Sequence, residues 1–97
     1  MSKFGDLIDV TVPVLFDFYA HLGTESTNHP VLLDVATTMG DNAKIIKINV
    51  EKNQELIEAL KITVVPTYII YKNGEMVWRQ SGNLDASMLA LTLQEFV

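Results

Sequence analysis

The sequence predicts a mixed α/β fold: a sheet of about four strands with helices on both faces, closed by a C-terminal helix. Runs rich in apolar and β-branched residues alternate with segments whose apolar residues recur at helical spacing. Asn73 and Gly74 separate two such runs, and Asn-Gly is the strongest short signal for an antiparallel hairpin. The resulting order is a β-α-β crossover, which makes its two strands parallel, followed by the hairpin and the last helix.

Four segments are predicted to be strands. Residues 12–19 form an apolar run interrupted only by Asp17, a pattern typical of a strand covered on both faces. Residues 43–50 are rich in β-branched side chains and are expected to lie parallel to the first strand. Residues 67–71 and 75–81 flank the hairpin turn, and we expect them to pair antiparallel.

Helices are predicted between and after these strands. Three apolar stripes have helical spacing: Leu32, Val35, Ala36 and Met39; Leu56, Ile57 and Leu60 after Asn53; and Leu89, Leu93 and Phe96. Gly40 stands where a left-handed residue ends a helix, and Asp85 is suited to cap the start of the last one. Residues 3–9 are expected to form a short opening helix.

Composition bounds both the architecture and the chemistry. Ninety-seven residues with 48% apolar side chains predict one domain spanning residues 1–97. The chain has no cysteine, which excludes disulfides, iron–sulfur clusters, thiolate zinc sites and thiol catalysis within it. Packing alone is therefore expected to hold the core.

Charge and hydropathy indicate which partners to expect. The net charge of −5 repels phosphate backbones and anionic lipids, so neither nucleic acid nor a membrane is expected as a partner. No apolar run approaches the roughly 20 residues of a membrane helix, and residues 1–6 lack the features of a signal peptide. A cytoplasmic location is the expectation.

Four local strings, in order and at suitable spacing, resemble those of the thioredoxin family. Residues 16–20 (F-D-F-Y-A) are similar to its V-D-F-W-A strand end, and residues 47–50 (K-I-N-V) to its K-[LIV]-[ND]-[IV] strand. Residues 64–67 (V-V-P-T) are similar to its [IV]-P-T loop. Residues 72–75 (K-N-G-E), with Gly82 after them, resemble its hairpin and the glycine closing its final strand. The resemblance covers essentially the whole chain and implies a thioredoxin-like fold.

The sequence departs from the family where the family does its chemistry. Counting without gaps from Ala20, the family's W-C-G-P-C motif falls on residues 22–26, so Gly23 and Ser26 occupy both cysteine positions. The family's disulfide chemistry is therefore excluded. Pro30 comes one residue earlier than the family's helix proline, which predicts a rebuilt loop and first helical turn. Too few residues precede position 12 for the family's first strand, so 43–50 is expected to be an exposed sheet edge.

The resemblance also implies a buried charge pair. Asp17 interrupts an apolar strand, where desolvation disfavours the carboxylate. By the resemblance, Lys47 lies beside it on the neighbouring strand and points inward, which would offset part of that cost. The family uses this aspartate to move protons for a cysteine that is missing here. We therefore expect a structural role for the pair.

A peptide groove is the principal candidate site. The resemblance implies a cis peptide bond between Val65 and Pro66, in a loop whose backbone pairs with extended peptides. The predicted partner-binding residues are Leu22, Val64, Val65, Pro66, Gly82, Asn83 and Leu84. They are mostly apolar, as a peptide site requires. The alternative is that the proline only shapes the turn.

Polar residues cluster around the altered motif. The spacing of His21, Glu25 and His29 matches no established zinc site, so no metal and no cofactor are expected. Ser26 and His29 could form a nucleophile pair, but no orienting acid or oxyanion donors are evident. We prefer the interpretation that Ser26 or Asn28 caps the following helix, with Glu25 near its positive end.

Three functional hypotheses follow. The first is a redox-inactive, non-enzymatic domain that binds a peptide or protein through the groove beside Pro66, as a chaperone or adaptor. The second is a structural or assembly module that makes contacts through an outer helix face or the 43–50 edge, as a monomer or a weak homodimer. The third is an enzyme that uses hydroxyl, histidine or carboxylate chemistry in place of thiols.

Overall fold

The computed structural model describes residues 3–20, 29–82 and 84–97. Its helices and strands, in chain order, are α1 (Lys3–Ile8), β1 (Val14–Tyr19), α2 (His29–Met39), β2 (Lys44–Asn49), α3 (Gln54–Leu60), β3 (Thr67–Lys72), β4 (Glu75–Ser81) and α4 (Ala86–Gln94). Short 3-10 turns, Gly40–Asn42 and Val50–Lys52, flank β2. No helix in the described part of the chain has the length and apolar character needed to span a membrane.

The strands form one mixed sheet in the order β2-β1-β3-β4. β1 and β2 are parallel, as the crossover predicts, and the other neighbours are antiparallel. Among the described residues β2 is therefore an edge strand, as expected. The register places Asp17 at the centre of a row across the sheet, between Lys47 on β2 and Tyr68 on β3.

Apolar clusters lie on both faces of the sheet. Alternation along β1 sends Leu15 to the face covered by α2 and α4, and Phe16 to the face covered by α1 and α3. The buried residues of the α2/α4 face are Leu15, Leu32, Val35, Met39, Ala43, Tyr68, Ile70, Leu89, Ala90 and Leu93. Those of the opposite face are Val14, Phe16, Phe18, Ile62, Ile69 and Tyr71. The predicted fold, with helices on both faces and a C-terminal helix, is confirmed.

The turns follow the local chemistry that the sequence predicts. Asn73 and Gly74 both have positive φ, at 55° and 82°, which matches the twist of a tight two-residue hairpin. Gly40 ends α2 with φ of 56°. Asp85 caps α4, because its Oδ1 accepts a hydrogen bond of 2.8 Å from the Met88 amide.

Two details differ from the sequence prediction. β1 begins at Val14, two residues later than predicted, because Pro13 has no amide to donate; its carbonyl accepts from the Lys44 amide at 3.0 Å. Ala36 is exposed, so its assignment to the buried stripe of α2 was wrong. It lies on the side of α2 turned away from the α4-facing residues Asp34 and Thr38, where no described element covers it.

Candidate functional site

The loop between α3 and β3 presents two exposed valines beside a cis-proline. The Val65–Pro66 peptide bond is cis. Val64 is 51% exposed and Val65 is 37% exposed, whereas Pro66 is half-buried and Thr67 is completely buried. The loop therefore shows an apolar surface at the point where the chain enters the centre of the sheet.

Hydrogen bonds fix this loop to the end of β4. The Gly82 amide donates to the Pro66 carbonyl at 2.9 Å, and the Thr67 hydroxyl donates to the Val64 carbonyl. Thr67 Oγ1 lies 3.0 Å from Ser81 Oγ, its cross-strand partner. A hydroxyl has a single proton, and that of Thr67 is given to Val64, so Ser81 is the donor in this pair.

Gly82 is suited to its position by its backbone conformation. Its φ of 100° lies in the left-handed region, where a side chain would be strained. That conformation orients the Gly82 amide toward Pro66 at the end of β4. A glycine is therefore required by the backbone here, although a Cβ would have open space around it.

Several predicted groove residues are brought together. Gly82 bonds to Pro66 directly, and Thr67 links Val64 to β4. Leu84 is half-buried and packs against the core of the α2/α4 face. Leu22 and Asn83 lie outside the described residues, as do both altered cysteine positions, Gly23 and Ser26. The structure therefore describes two walls of the proposed groove, the loop between α3 and β3 and the end of β4.

Sequence reasoning did not assign a role to Thr67 or Ser81. Thr67 belongs to the V-V-P-T string, and its full burial next to a proline turn is what makes its hydroxyl structurally important. Ser81 could not be matched to it by counting from the hairpin turn. A bulge shifts the register, so that Tyr71 opposes Met76 but Ile70 opposes Trp78.

Asp17 and Lys47 differ in burial. Asp17 is completely buried and Lys47 is exposed, so only the carboxylate of the predicted charge pair is buried. The reason is that β2 lies at the edge of the described sheet, where no further strand covers its outer side. Lys47 Nζ lies 5.2 Å from the centroid of the Tyr19 ring.

The polar cluster around the altered motif falls largely outside the described residues. This applies to His21, Glu25, Ser26 and Asn28, while His29 is the first residue of α2. Within residues 3–20, 29–82 and 84–97, no group of three histidines or acidic residues could hold a metal ion. The site described above combines an apolar surface with backbone hydrogen-bonding groups and the paired hydroxyls of Thr67 and Ser81.

A four-stranded mixed sheet with helices on both faces and a cis-proline before its third strand defines a thioredoxin-like domain. A family model described as Thioredoxin matches residues 2–95. The chain belongs to the thioredoxin family.

Named relatives agree with this assignment. The chain is 37% identical over 90 residues to chloroplastic thioredoxin Y of Oryza sativa subsp. japonica, which covers 91% of this chain and 54% of the relative. It is 30% identical over 92 residues to thioredoxin of Haemophilus influenzae, covering 94% and 86%. The chain thus spans about half the length of the chloroplastic relatives it matches.

A solved structure shows the same fold. A mutant thioredoxin from Halobacterium salinarum NRC-1 superposes with a TM-score of 0.81 at 28% identity, covering 99% of this chain and 84% of that one. The 97 residues nevertheless contain no cysteine. The chain therefore has the family's fold without the thiols on which disulfide exchange depends.

Proposed function

We propose that this domain binds an extended peptide or protein segment through the groove beside Pro66, in a chaperone or adaptor role that needs neither catalysis nor a cofactor. One observation carries the proposal: Val64 and Val65 are exposed on a loop that is fixed to β4 by hydrogen bonds. Such a loop is ordered before a ligand arrives, so binding loses less conformational entropy.

The hydrogen bonds of the loop leave a suitable pairing position. Within residues 3–20, 29–82 and 84–97, they use the carbonyls of Val64 and Pro66 and do not involve the amide or the carbonyl of Val65. An extended peptide recognised by strand addition pairs through main-chain groups of this kind, and its alternate side chains contact neighbouring pockets. We infer that Val65 is the residue with which the peptide backbone pairs.

The groove selects by shape and apolarity more than by charge. Residues 62–67 (I-T-V-V-P-T) contain no charged side chain in a chain whose net charge is −5. Val64 and Val65 are 51% and 37% exposed, and covering either side chain contributes about 1 kcal/mol. The ligand predicted from these features is an extended, uncharged segment with apolar side chains at alternate positions.

The test compares two valine-to-arginine variants matched in exposure. Val65→Arg places a charge in the proposed groove, and Val77→Arg places the same charge on β4, where the valine is also 37% exposed. A binding peptide would first be selected with the wild-type chain from a displayed random library. Fluorescence anisotropy then measures its affinity, and circular dichroism confirms that both variants are folded.

We expect Val65→Arg to weaken binding at least tenfold and Val77→Arg to leave it within about twofold, because only the first charge is desolvated by the peptide. Equal binding by wild type and Val65→Arg would overturn the proposal. It would favour the second candidate function, an assembly module that makes its contacts through an outer surface. The observation that supports this second candidate is the position of β2 at the edge of the sheet.

A further inference from the structure

β2 offers one side of its backbone to a partner. Only β1 pairs with it among the described residues. The Lys44 amide donates to Pro13, so by strand alternation residues 44, 46 and 48 direct their backbone groups toward β1. The backbone groups of 45, 47 and 49 are directed away from the sheet, where an added strand could pair with them.

The side chains of β2 are also incompletely covered. Its three isoleucines, Ile45, Ile46 and Ile48, are half-buried, whereas the apolar residues beside them on β1 are completely buried. β-branched side chains on a sheet are stabilised by neighbours across the next strand. A fifth strand at this edge would supply such neighbours on both faces.

The charge of this edge differs from that of the chain. Residues 43–52 contain three lysines and one glutamate, within a chain whose net charge is −5. Lys44 and Lys47 are exposed and lie three residues apart, so they project from opposite faces of the sheet. The two positions between them are the isoleucines Ile45 and Ile46.

These lysines disfavour a second copy of the chain as the occupant. In an antiparallel pair related by a two-fold axis, directly opposed residues lie on the same face. Whichever residue from 44 to 48 lies on the two-fold axis, Lys44 or Lys47 is then directly or diagonally opposite the same lysine of the second chain. Like charges in these positions are destabilising, and edge lysines commonly prevent self-pairing of this kind.

We propose that the outer edge of β2 accepts an extended acidic segment of a partner protein as a fifth strand. Its acidic residues would stand three apart, opposite Lys44 and Lys47, with two apolar residues between them opposite Ile45 and Ile46. The expected ligand pattern is thus acidic, apolar, apolar, acidic. This surface is independent of the groove beside Pro66.

The probe is a labelled peptide, Thr-Val-Glu-Val-Val-Glu-Val-Thr, compared by fluorescence anisotropy with the same peptide carrying lysine in place of both glutamates. We expect the glutamate peptide to bind at least tenfold more tightly at low salt, and the difference to shrink as added salt screens the exposed charges. In an added strand, every second amide of the peptide faces β2. N-methylation of the amides that face β2 should abolish binding, and N-methylation of those that face away should be tolerated. Equal affinity for the two peptides would overturn the proposal.

Charge reversal in the protein makes the test reciprocal. Lys44→Glu combined with Lys47→Glu should reverse the preference in favour of the lysine peptide, while Lys61→Glu at the end of α3 should leave it unchanged. Since Lys47 lies beside buried Asp17, Lys44→Glu alone is the variant to use if the double variant does not fold, and it should weaken the glutamate peptide severalfold.

Two further results would contradict the assignment. Loss of glutamate-peptide binding in Val65→Arg, with Lys44→Glu unaffected, would locate the peptide in the groove beside Pro66. Concentration-dependent dimers of the wild-type chain in light scattering, lost in Lys44→Glu, would assign the edge to a second copy.

Discussion

The two central strands and the two edge strands of the sheet differ sharply in burial. β1 and β3 are buried along nearly their whole length, including a carboxylate, whereas β2 and β4 are exposed or half-buried throughout. β-branched residues occur in all four strands. The central strands therefore supply most of the buried surface that stabilises the fold. The edge strands and the loop beside them leave exposed surface that a partner could contact.

The cis-proline loop stands at the boundary between these two regions. It leads into buried β3 through Thr67, yet its valines are exposed and its hydrogen bonds run to the end of the edge strand β4. The buried centre and the exposed loop can therefore be altered separately, and three stability predictions test this division.

The largest effect is expected from Phe16→Ala. Phe16 is completely buried, stacks on Phe18 at 6.0 Å and meets the edge of Tyr71 at 5.7 Å between ring centroids. Its truncation should lower the free energy of unfolding in urea by about 3–5 kcal/mol. Val77→Ala on β4 is the control, with an expected loss below about 1 kcal/mol. Equal losses would contradict the division between centre and edge.

A smaller effect of opposite sign is expected from Asp17→Asn. The carboxylate is completely buried, and an amide of the same shape is less costly to remove from water. The free energy of unfolding near neutral pH should rise by on the order of 1 kcal/mol or more. Asp41→Asn, an exposed position in the 3-10 turn after α2, should change it little. A lower unfolding midpoint for Asp17→Asn would show that Lys47 compensates the buried charge well.

The smallest effect concerns Tyr71 at high pH. Burial raises the pKa of the Tyr71 phenol, and the nearby Arg79 guanidinium opposes part of that rise. The folded state therefore holds this proton more tightly than the unfolded chain. Its contribution is complete below pH about 10, the unfolded value, and is lost as pH rises through the higher folded pKa.

Tyr71→Phe should accordingly reduce the fall in unfolding free energy between pH about 9 and about 11, because phenylalanine has no proton to lose. Urea denaturation of both proteins at the two pH values measures this difference. An unchanged fall would mean that other groups dominate the alkaline loss of stability.

Much of the fold follows from local sequence. The hairpin at Asn73-Gly74, the end of α2 at Gly40 and the cap at Asp85 each depend on a residue whose preferred backbone or side-chain chemistry is nearly unique. Their positions are all as predicted. The edge location of β2 was expected from the family resemblance and not from local spacing.

Features that depend on long-range geometry could not be predicted in the same way. The link between Thr67 and Ser81 requires a bulge opposite Ile70 and Tyr71, and uninterrupted counting from the turn would oppose Thr67 to Gln80. The exposure of Ala36 and Lys47 depends on where neighbouring elements stop covering the sheet. Spacing along the chain does not contain that information.

The most direct test of peptide recognition at the rim is a nuclear magnetic resonance titration of the ¹⁵N-labelled chain with the display-selected peptide. We expect amide shifts concentrated at Val64, Val65, Thr67, Gly82 and Leu84, and their loss in Val65→Arg but not in Val77→Arg. Shifts confined to the outer faces of α2 and α4, with the Pro66 loop unmoved, would contradict binding through the groove and make the fold a scaffold for a different surface.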